Sequence, residues 1–177
     1  MGKDDKLGQS PVADVDLGKT VISADGKFTA EFIALQRRYF QVETPFNQHM
    51  GLSLHAFEPD LVTARLPMRP ELVGHRPTHR LHGGAISAAM DVTGGFSIMA
   101  AMAARHPEDT LAHLLPRFNR ISTITLHVDY LKVGISEHFF VTSRVLRLGS
   151  RVASTHMELL DSGHRLLACG SGAYMVS

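Results

Sequence analysis

The sequence predicts an α+β fold in which an antiparallel sheet is wrapped around one long central helix, at about residues 82–104. The stretch from Gly83 to Ala104 is rich in apolar and small residues, and Asp91 is its only ionisable side chain. A helix that is apolar on all sides has to be covered by other parts of the protein. Four β-like segments follow it with short turns between them, which is typical of an antiparallel meander.

The central stretch is also long enough to cross a bilayer, so a membrane span is the first alternative. Asp91 lies well inside the stretch, where a charge is costly in lipid. Gly94 and Gly95 follow within one turn, and charged and turn-forming residues flank both ends. These features favour a helix buried inside a soluble protein, and no membrane span is predicted.

Length and composition indicate one ordinary globular domain. The chain has 177 residues, 44% of them hydrophobic and 20% charged, with a formal charge of +1. Without a basic excess or a run of like charges, no nucleic-acid partner is predicted. The single cysteine, Cys169, excludes an intrachain disulfide and fits a reducing compartment. No secretion leader opens the chain, so we expect a cytoplasmic protein.

The N-terminal half is predicted to contain a tail, a helix and two strands. Residues 1–26 are polar and aperiodic, which predicts a mobile or loosely packed tail before a single domain at 27–177. Apolar residues at helical spacing predict an amphipathic helix over 27–42, which Pro45 ends or restarts. Two short strands are expected next, and they are followed by a segment with two prolines that is expected to be mostly loop. These segments are 52–57, 61–68 and 69–81.

The C-terminal half is predicted to be an irregular connection followed by four antiparallel strands. The connection covers 105–118, because it contains Pro107 and Pro116. In the first strand, Ile124, Leu126, Val128 and Tyr130 alternate with polar residues, as in a strand with one buried face. The strands are expected at 121–131, 138–148, 152–160 and 165–176. A sheet curled around one helix leaves a side uncovered, which favours a dimer.

Several short motifs give this order of elements a family resemblance. They are Glu71-Leu72-Val73-Gly74, Leu81-His82-Gly83-Gly84, Asp91-Val92-x-Gly94-Gly95, Val128-Asp129-Tyr130-Leu131 and Val145-Leu146-Arg147-Leu148-Gly149. Over residues 45–176 the chain resembles the hotdog-fold acyl-CoA thioesterases, within them the PaaI-type group, and most closely its YigI-like branch. The resemblance implies a hotdog fold, hydrolysis of an acyl-CoA to a free acid and CoA, and dimers or tetramers with active sites at the dimer interface. It implies no cofactor, since coenzyme A is part of the substrate.

The start of the central helix suits the binding of a thioester carbonyl. Glycines at this point allow close approach to the backbone, and the free amides of a first helical turn favour negative charge. The resemblance assigns an oxyanion hole to the amide of Gly83 or Gly84, and assigns to His82 a role in positioning the loop and the carbonyl. The structural alternatives are a tight entry into the helix at the glycines and a helix cap at His82.

Asp91 is the candidate catalytic carboxylate. No basic residue lies three or four positions away on its helix, and an unpaired buried carboxylate is costly. It should therefore face a cleft, water or another chain. The resemblance implies that Asp91, from the opposite subunit, acts as nucleophile or as general base. The alternative is a structural carboxylate that makes hydrogen bonds across the interface.

Two further residues match positions of the family's active site. Thr123 corresponds to the Ser or Thr that begins the first strand after the helix and orients the water in relatives, although it is also an ordinary residue for a strand. His75 stands in the loop before His82, where relatives often have an asparagine. A histidine can also donate a hydrogen bond there, but the sequence departs from the family pattern at this position.

The substrate is predicted to contact two further groups of residues. Arg147, Ser150 and Arg151 bracket the turn at Gly149, and Lys132 begins another turn that is expected nearby in the meander. By resemblance, such turns contact the nucleotide part of CoA; the alternative is that they are simply solvated. The resemblance favours a fatty acyl chain, which is expected to lie beside the central helix. Its predicted lining residues are Ala88, Gly95 and Met99.

No metal site is predicted. The histidines at 75, 79 and 82 have helical spacing, but Pro77 lies between them, and the segment is loop-like. His127 and Asp129 share a strand face, but two ligands are too few for zinc.

Two other functions remain open at this point. One is a non-catalytic acyl-CoA-binding hotdog module, and the other is a hotdog hydratase or dehydratase, which uses a histidine with an acidic partner. The aspartate nine residues after His82 favours the thioesterase over the hydratase. The GxSxG elbow of α/β-hydrolases and the nucleotide-binding glycine motifs are missing from the sequence.

Overall fold

A six-stranded antiparallel sheet forms most of the chain in the computed structural model, which describes residues 16–177. The spatial order of its strands is β1-β2-β6-β7-β8-β5, and β3 and β4 form a separate small hairpin. In chain order the strands are β1 (Ser53–Phe57), β2 (Val62–Pro67), β3 (Val73–His75), β4 (Arg80–Leu81), β5 (Ser122–Tyr130), β6 (His138–Leu148), β7 (Val152–Asp161) and β8 (Leu166–Met175).

One long helix crosses the concave side of this sheet. The helices are α1 (Ala30–Arg38), continued by a π-helical turn (Tyr39–Glu43), α2 (Pro45–Met50), α3 (Gly83–Arg105) and α4 (Leu111–Phe118). Helix α3 packs on β2, β5, β6, β7 and β8, so the predicted α+β hotdog fold with a central helix is confirmed. By length and composition α3 could span a membrane, but 61% of its most apolar window is buried inside the domain. This degree of burial is that of a core helix.

Strand β5 lies at one edge of the sheet and is separated from β6 by β7 and β8, so the predicted meander of four consecutive strands holds for β6 to β8 but is wrong for β5. It pairs with β8, and no other strand among residues 16–177 pairs with its second edge. Only Leu126 and Val128 are partly buried, and the other seven side chains of β5 are exposed. Ile124 and Tyr130 are about half exposed, although the alternation predicted that they would share a buried face. The unpaired N–H and C=O groups of an edge strand are a template for pairing with another chain.

The connection after α3 differs from its prediction. Residues 111–118 form helix α4, so the expectation of an irregular segment is wrong for its second half. Leu111, Leu114 and Phe118 have helical spacing and are buried. Pro116 lies in the last turns of the helix, and its presence argued against a helix when only the sequence was considered. Earlier in the chain, α1 gives way to the π-helical turn after Arg38, and Pro45 begins α2 rather than only ending a helix.

The predicted N-terminal tail falls partly outside the described residues. Of residues 1–26, the structure describes 16–26. Within these, Val21 is 3% exposed, Thr20 forms a bridge with Thr110, and Ile22 forms one with Phe28. The residues around Val21 therefore pack against the domain, while the boundary between tail and domain stays a prediction.

Candidate active site

The first turn of α3 presents one free backbone amide. His82 is the N-cap residue, and its Nδ1 accepts a hydrogen bond of 2.8 Å from the Gly84 N–H. The neutral ring therefore carries its proton on Nε2. The Gly83 N–H has no hydrogen-bond partner within residues 16–177. Of the two predicted oxyanion donors, the Gly84 N–H is used by the His82 cap and the Gly83 N–H is available.

Close backbone contacts hold this helix start in place. The His82 N–H donates to the Leu72 carbonyl at 2.8 Å, and the Leu81 N–H donates to the Gly134 carbonyl at 2.8 Å. A Cβ on Gly74 would lie 2.7 Å from the Cα of His82. Only glycine permits this approach without a shift of the backbone. The loop of β3 thus fixes the position of His82, and through it the direction of the Gly83 amide.

The two ends of edge strand β5 contact two different points of α3. At the end of the strand, the Tyr130 hydroxyl donates to the Gly83 carbonyl at 3.2 Å. Near its start, Thr123 Oγ1 donates to Asp91 Oδ1 at 2.8 Å. Two of the candidate catalytic residues, Thr123 and Asp91, are therefore in direct contact. Gly83 and Asp91 are eight residues apart on one helix, which is about 12 Å of rise. A single chain does not bring both to one carbonyl.

Tyr174 fixes the turn of α3 that carries Asp91. Tyr174 is 1% exposed, and its hydroxyl donates to the main-chain carbonyl of Asp91 at 3.2 Å. Burial raises the pKa of Tyr174 above its usual range, and the nearby Asp91 carboxylate raises it further. The phenol therefore remains a neutral donor. The sequence did not single out Tyr174; its inward position in the alternation of β8 was the only available signal.

A cavity of about 620 Å³ opens beside the Asp91 carboxylate. Apolar side chains from α1, α3, α4 and the segment before β5 form much of its wall: Leu35, Val92, Phe96, Met99, Leu115, Phe118 and Ile121. Its lining includes the predicted residues Gly95 and Met99, but not Ala88. An apolar cavity with a carboxylate and a hydroxyl at one side suits an acyl chain attached to a reacting carbonyl.

The predicted CoA-binding residues divide between the two ends of the sheet. Arg147 lines a cavity of about 590 Å³ with Arg105 and Arg144, and Ser150 lines an adjoining cavity of about 430 Å³ with Arg105 and Arg120. These cavities meet at Leu148, whose carbonyl accepts a 3.0 Å hydrogen bond from Arg105. Four of the lining arginines, Arg105, Arg117, Arg120 and Arg144, were not predicted from the sequence.

Lys132 is not close to this arginine group. Its N–H donates to the Leu167 carbonyl at one end of β8, whereas the Arg151 carbonyl accepts from the Val176 N–H at the other end. Nine residues of extended chain between Leu167 and Val176 correspond to about 30 Å. The expectation that Lys132 lies near Arg147, Ser150 and Arg151 is therefore wrong within one chain.

His75 does not contact the carboxylate or the helix start through a hydrogen bond in the described part of the chain. Its Nδ1 lies 2.9 Å from Thr78 Oγ1, within the hairpin loop before α3. His127 Nε2 and Asp129 Oδ1 form an exposed pair on β5 at 3.2 Å. Among residues 16–177, no three His, Cys, Asp or Glu side chains are grouped as metal ligands.

The sequence matches a family model described as the thioesterase superfamily over residues 79–168. It is 34% identical over 137 residues to the medium/long-chain acyl-CoA thioesterase YigI of Escherichia coli K12, which covers 77% of this chain and 88% of that protein. YigI of Salmonella typhimurium matches with the same identity and coverage.

Solved structures also match the fold. A Shewanella oneidensis protein related to the thioesterase superfamily has a TM-score of 0.79 at 34% identity, over 84% of this chain and 97% of that one. A candidate thioesterase from Syntrophus aciditrophicus has a TM-score of 0.72 at 29% identity, over 83% of this chain and 97% of that one.

Proposed function

Since this chain belongs to the thioesterase superfamily and is a thioester hydrolase, we propose that it hydrolyses medium- or long-chain fatty acyl-CoA to the free acid and CoA. The identity to a medium/long-chain acyl-CoA thioesterase supports this substrate class. It also favours hydrolysis over the hydratase and the non-catalytic binding module. The observation that carries the proposal is the Asp91–Thr123 pair beside the apolar cavity.

The catalytic centre forms, in this proposal, between two subunits that pair through β5. Two copies of an edge strand related by a twofold axis are antiparallel, so the start of one lies beside the end of the other. Thr123 holds Asp91 at the start of β5, and Tyr130 holds Gly83 at its end. Pairing therefore brings Asp91 of one subunit towards Gly83 of the other. The unpaired outer edge of β5 supports this arrangement.

In the proposed reaction, the start of the helix and the turn that carries Asp91 have different roles. The free Gly83 N–H and the positive end of the α3 dipole stabilise the oxyanion that forms on the thioester carbonyl. Asp91 drives the attack, either directly as nucleophile or by removing a proton from water. Thr123 donates to Oδ1 of the carboxylate and thereby leaves Oδ2 free for the reaction. The C–S bond breaks, and the departing thiolate of CoA takes up the proton that water gives up. Water supplies its oxygen to the acyl carbon, either in the same step or by cleaving the acyl–Asp91 anhydride that forms when Asp91 is the nucleophile.

The two parts of the substrate bind to different surfaces in this proposal: CoA to positively charged residues and the acyl chain to an apolar cavity. Arg147, Ser150 and Arg151 contact the phosphates of CoA, together with Arg105 and Arg144 in the adjoining cavities. Lys132 contributes from its separate position at the end of β5. The acyl chain enters the 620 Å³ cavity along Gly95 and Met99. His82 acts by fixing the Gly83 amide, and His75 supports the loop before it.

Replacing the carboxylate tests this function. Asp91→Asn keeps the size of the side chain but removes the base and the nucleophile, so kcat/KM should fall by about 10²–10⁴-fold. Release of free thiol from acyl-CoAs of several chain lengths is the measurement. The control is Glu58→Gln, the same chemical change at an exposed turn residue outside the site. An Asp91→Asn enzyme as active as the control on every substrate would refute the proposal.

A further inference from the structure

Exposed cationic side chains lie at the start of α3, at the opposite end of this helix from the arginine-lined cavities. The loop before the helix carries Arg76 and Arg80, and both are exposed. No acidic residue lies between Glu71 and Asp91 in the sequence. Neither arginine forms a salt bridge within residues 16–177. Positive charge without a carboxylate partner is available to an anionic ligand.

Arg80 shares one face of β4 with the residue that caps the helix. Successive side chains of an extended chain point to opposite faces. Leu81 is 5% exposed and points into the core, so Arg80 and His82 lie together on the outer face. Gly83 follows Arg80 by three residues, which corresponds to about 10 Å of extended chain. The Arg80 side chain therefore starts close to the free Gly83 amide and is long enough to extend beyond it.

Two backbone contacts bring further cations to the same place. Arg76 follows the residue that is paired with Arg80 across the β3–β4 hairpin. The Leu81 N–H donates to the Gly134 carbonyl at 2.8 Å, so the segment after β5 lies beside β4. This segment carries Lys132, which is exposed. We refer to Arg76, Arg80 and Lys132 as the helix-start cations.

The loop that carries the two arginines is held at both of its ends. The His82 N–H donates to the Leu72 carbonyl at 2.8 Å, and His75 Nδ1 lies 2.9 Å from Thr78 Oγ1. A loop that is already ordered loses less conformational entropy when it binds a ligand. The helix-start cations are therefore placed for binding before the ligand arrives.

The substrate carries negative charge at a distance from its thioester that fits these cations. CoA has a diphosphate at the end of its pantetheine arm and a further phosphate on its ribose. The arm corresponds in length to roughly four extended residues, or ~14 Å. When the thioester carbonyl lies at the Gly83 amide, the diphosphate therefore lies at a distance that the Arg80 side chain can reach.

The arginine-lined cavities lie further from the reacting carbonyl. Arg105, which lines two of them, ends α3 fourteen residues after Asp91, or about 21 Å along the helix axis. In the proposed dimer, the carbonyl lies between Asp91 of one subunit and Gly83 of the other. The cavities are thus beyond the length of the pantetheine arm, and they suit the ribose phosphate, which lies further along the substrate.

We propose that the helix-start cations bind the diphosphate of the acyl-CoA and leave its ribose phosphate to the arginine-lined cavities. The guanidinium groups of Arg76 and Arg80 can each donate two parallel hydrogen bonds to a phosphate, and Lys132 adds a point charge. The diphosphate does not change during hydrolysis, so these contacts stabilise the bound substrate and the transition state equally. This inference rests on the proposed acyl-CoA hydrolysis and names the residues that recognise its substrate.

A series of thioesters with one acyl chain tests each phosphate separately. It consists of acyl-pantetheine, acyl-dephospho-CoA, which has the diphosphate but no ribose phosphate, and acyl-CoA. The wild-type kcat/KM should be at least about tenfold higher for acyl-dephospho-CoA than for acyl-pantetheine, because hydrogen bonds to charged groups are worth at least that factor. Equal values for these two substrates would overturn the inference.

Removing the two arginines assigns this ratio to the loop. The double variant Arg76→Met, Arg80→Met keeps the length of both side chains without their charge. It should lower the ratio of acyl-dephospho-CoA to acyl-pantetheine about tenfold, and the loss should appear in KM rather than in kcat. The matched control is Arg37→Met at an exposed arginine of α1, which should keep the wild-type ratio. A double variant with the wild-type ratio would refute the assignment.

Two single variants separate the two groups of cations. Lys132→Met should lower the same ratio without touching the loop, and it serves if the double variant does not fold. Arg147→Met should instead lower the ratio of acyl-CoA to acyl-dephospho-CoA, which reports the ribose phosphate. If Arg147→Met lowers the first ratio and Lys132→Met does not, the diphosphate binds in the arginine-lined cavities and the inference is wrong.

Failure of this inference and failure of the proposed function give different results. If neither acyl-CoA nor acyl-pantetheine releases thiol, the proposed function is wrong. If all three thioesters are hydrolysed with the same kcat/KM, the function stands and only the assignment of the helix-start cations is wrong.

Discussion

The Tyr174 hydroxyl donates to the main-chain carbonyl of Asp91 across 3.2 Å, from the last strand of the sheet to the middle of the central helix. A Cβ on Gly94 would lie 2.2 Å from the same hydroxyl oxygen. The tyrosine therefore needs both the carbonyl of one residue and the missing side chain of another. This contact fixes the height and rotation of the helical turn that carries the candidate catalytic carboxylate.

Adjacent glycines of α3 should respond oppositely to alanine. Gly94→Ala places a methyl group against the Tyr174 hydroxyl, and we expect the free energy of unfolding to fall by about 1–3 kcal/mol. Gly95→Ala meets no atom within 4 Å and should keep or raise stability, because alanine is favoured over glycine in a helix by about 1 kcal/mol. Urea unfolding of both variants measures this. Equal losses of stability in the two variants would show that the close contact between Gly94 and Tyr174 does not limit packing.

Stability at alkaline pH should depend on Tyr174. Burial raises the pKa of Tyr174 in the folded chain above its usual value of 10.0. The unfolded chain thus loses this proton at lower pH than the folded chain, and the free energy of unfolding falls as pH rises from about 10. Tyr174→Phe removes the phenol and should flatten this decline. Urea midpoints between pH 8 and 11 test it, and parallel declines in the two proteins would contradict the expectation.

The cap at His82 should be replaceable by another acceptor. His82→Ala leaves the Gly84 N–H unpaired and should lower the free energy of unfolding by about 1 kcal/mol. His82→Asn supplies an oxygen at the same position and should recover most of that loss, because asparagine is among the best capping residues. Thermal unfolding compares the three proteins. If the asparagine variant is no more stable than the alanine variant, His82 stabilises the helix start by some other contact.

The free edge of β5 should control both assembly and activity. Ile124 is 49% exposed on this strand, and Ile124→Asp places a charge where we propose that a second copy pairs. We expect a monomer in light scattering, with most thioesterase activity lost, because Gly83 and Asp91 would no longer share a site. Leu17→Asp is the matched change at an exposed leucine outside the sheet. A monomeric Ile124→Asp protein with full activity would refute the shared site.

The local pattern of residues was sufficient to predict the main elements of the fold. The apolar stretch around Asp91 predicted α3 to within one residue at each end, and alternation predicted β6 with its observed bounds. The missing basic partners around Asp91 also indicated that it faces a cleft, water or another chain, and in the structure Asp91 lines a cavity. These features depend on neighbours within one or two turns of the chain, so the sequence displays them directly.

The remaining features depend on contacts between distant parts of the chain. Gly83 and Gly84 look equivalent in the sequence, and only the direction of the His82 ring decides which amide is free. Tyr174 reaches Asp91 from 83 residues away. The separation of Lys132 from Arg147 could have been foreseen, since the connections before and after one strand lie at opposite ends of the sheet. The pairing of β5 with β8 rather than with β6 could not, because it depends on contacts between distant strands.

Helix α3 carries the oxyanion donor at its start and the carboxylate two turns later, and its two hydrogen bonds to β5 fix these points separately. In the dimer that we propose, each copy of the helix therefore belongs to two reaction centres at once. One inherited substitution that tilts or shortens this helix displaces the donor in one centre and the carboxylate in the other. The two centres cannot evolve independently, and the rigid spacing between Gly83 and Asp91 is the quantity that selection has to preserve.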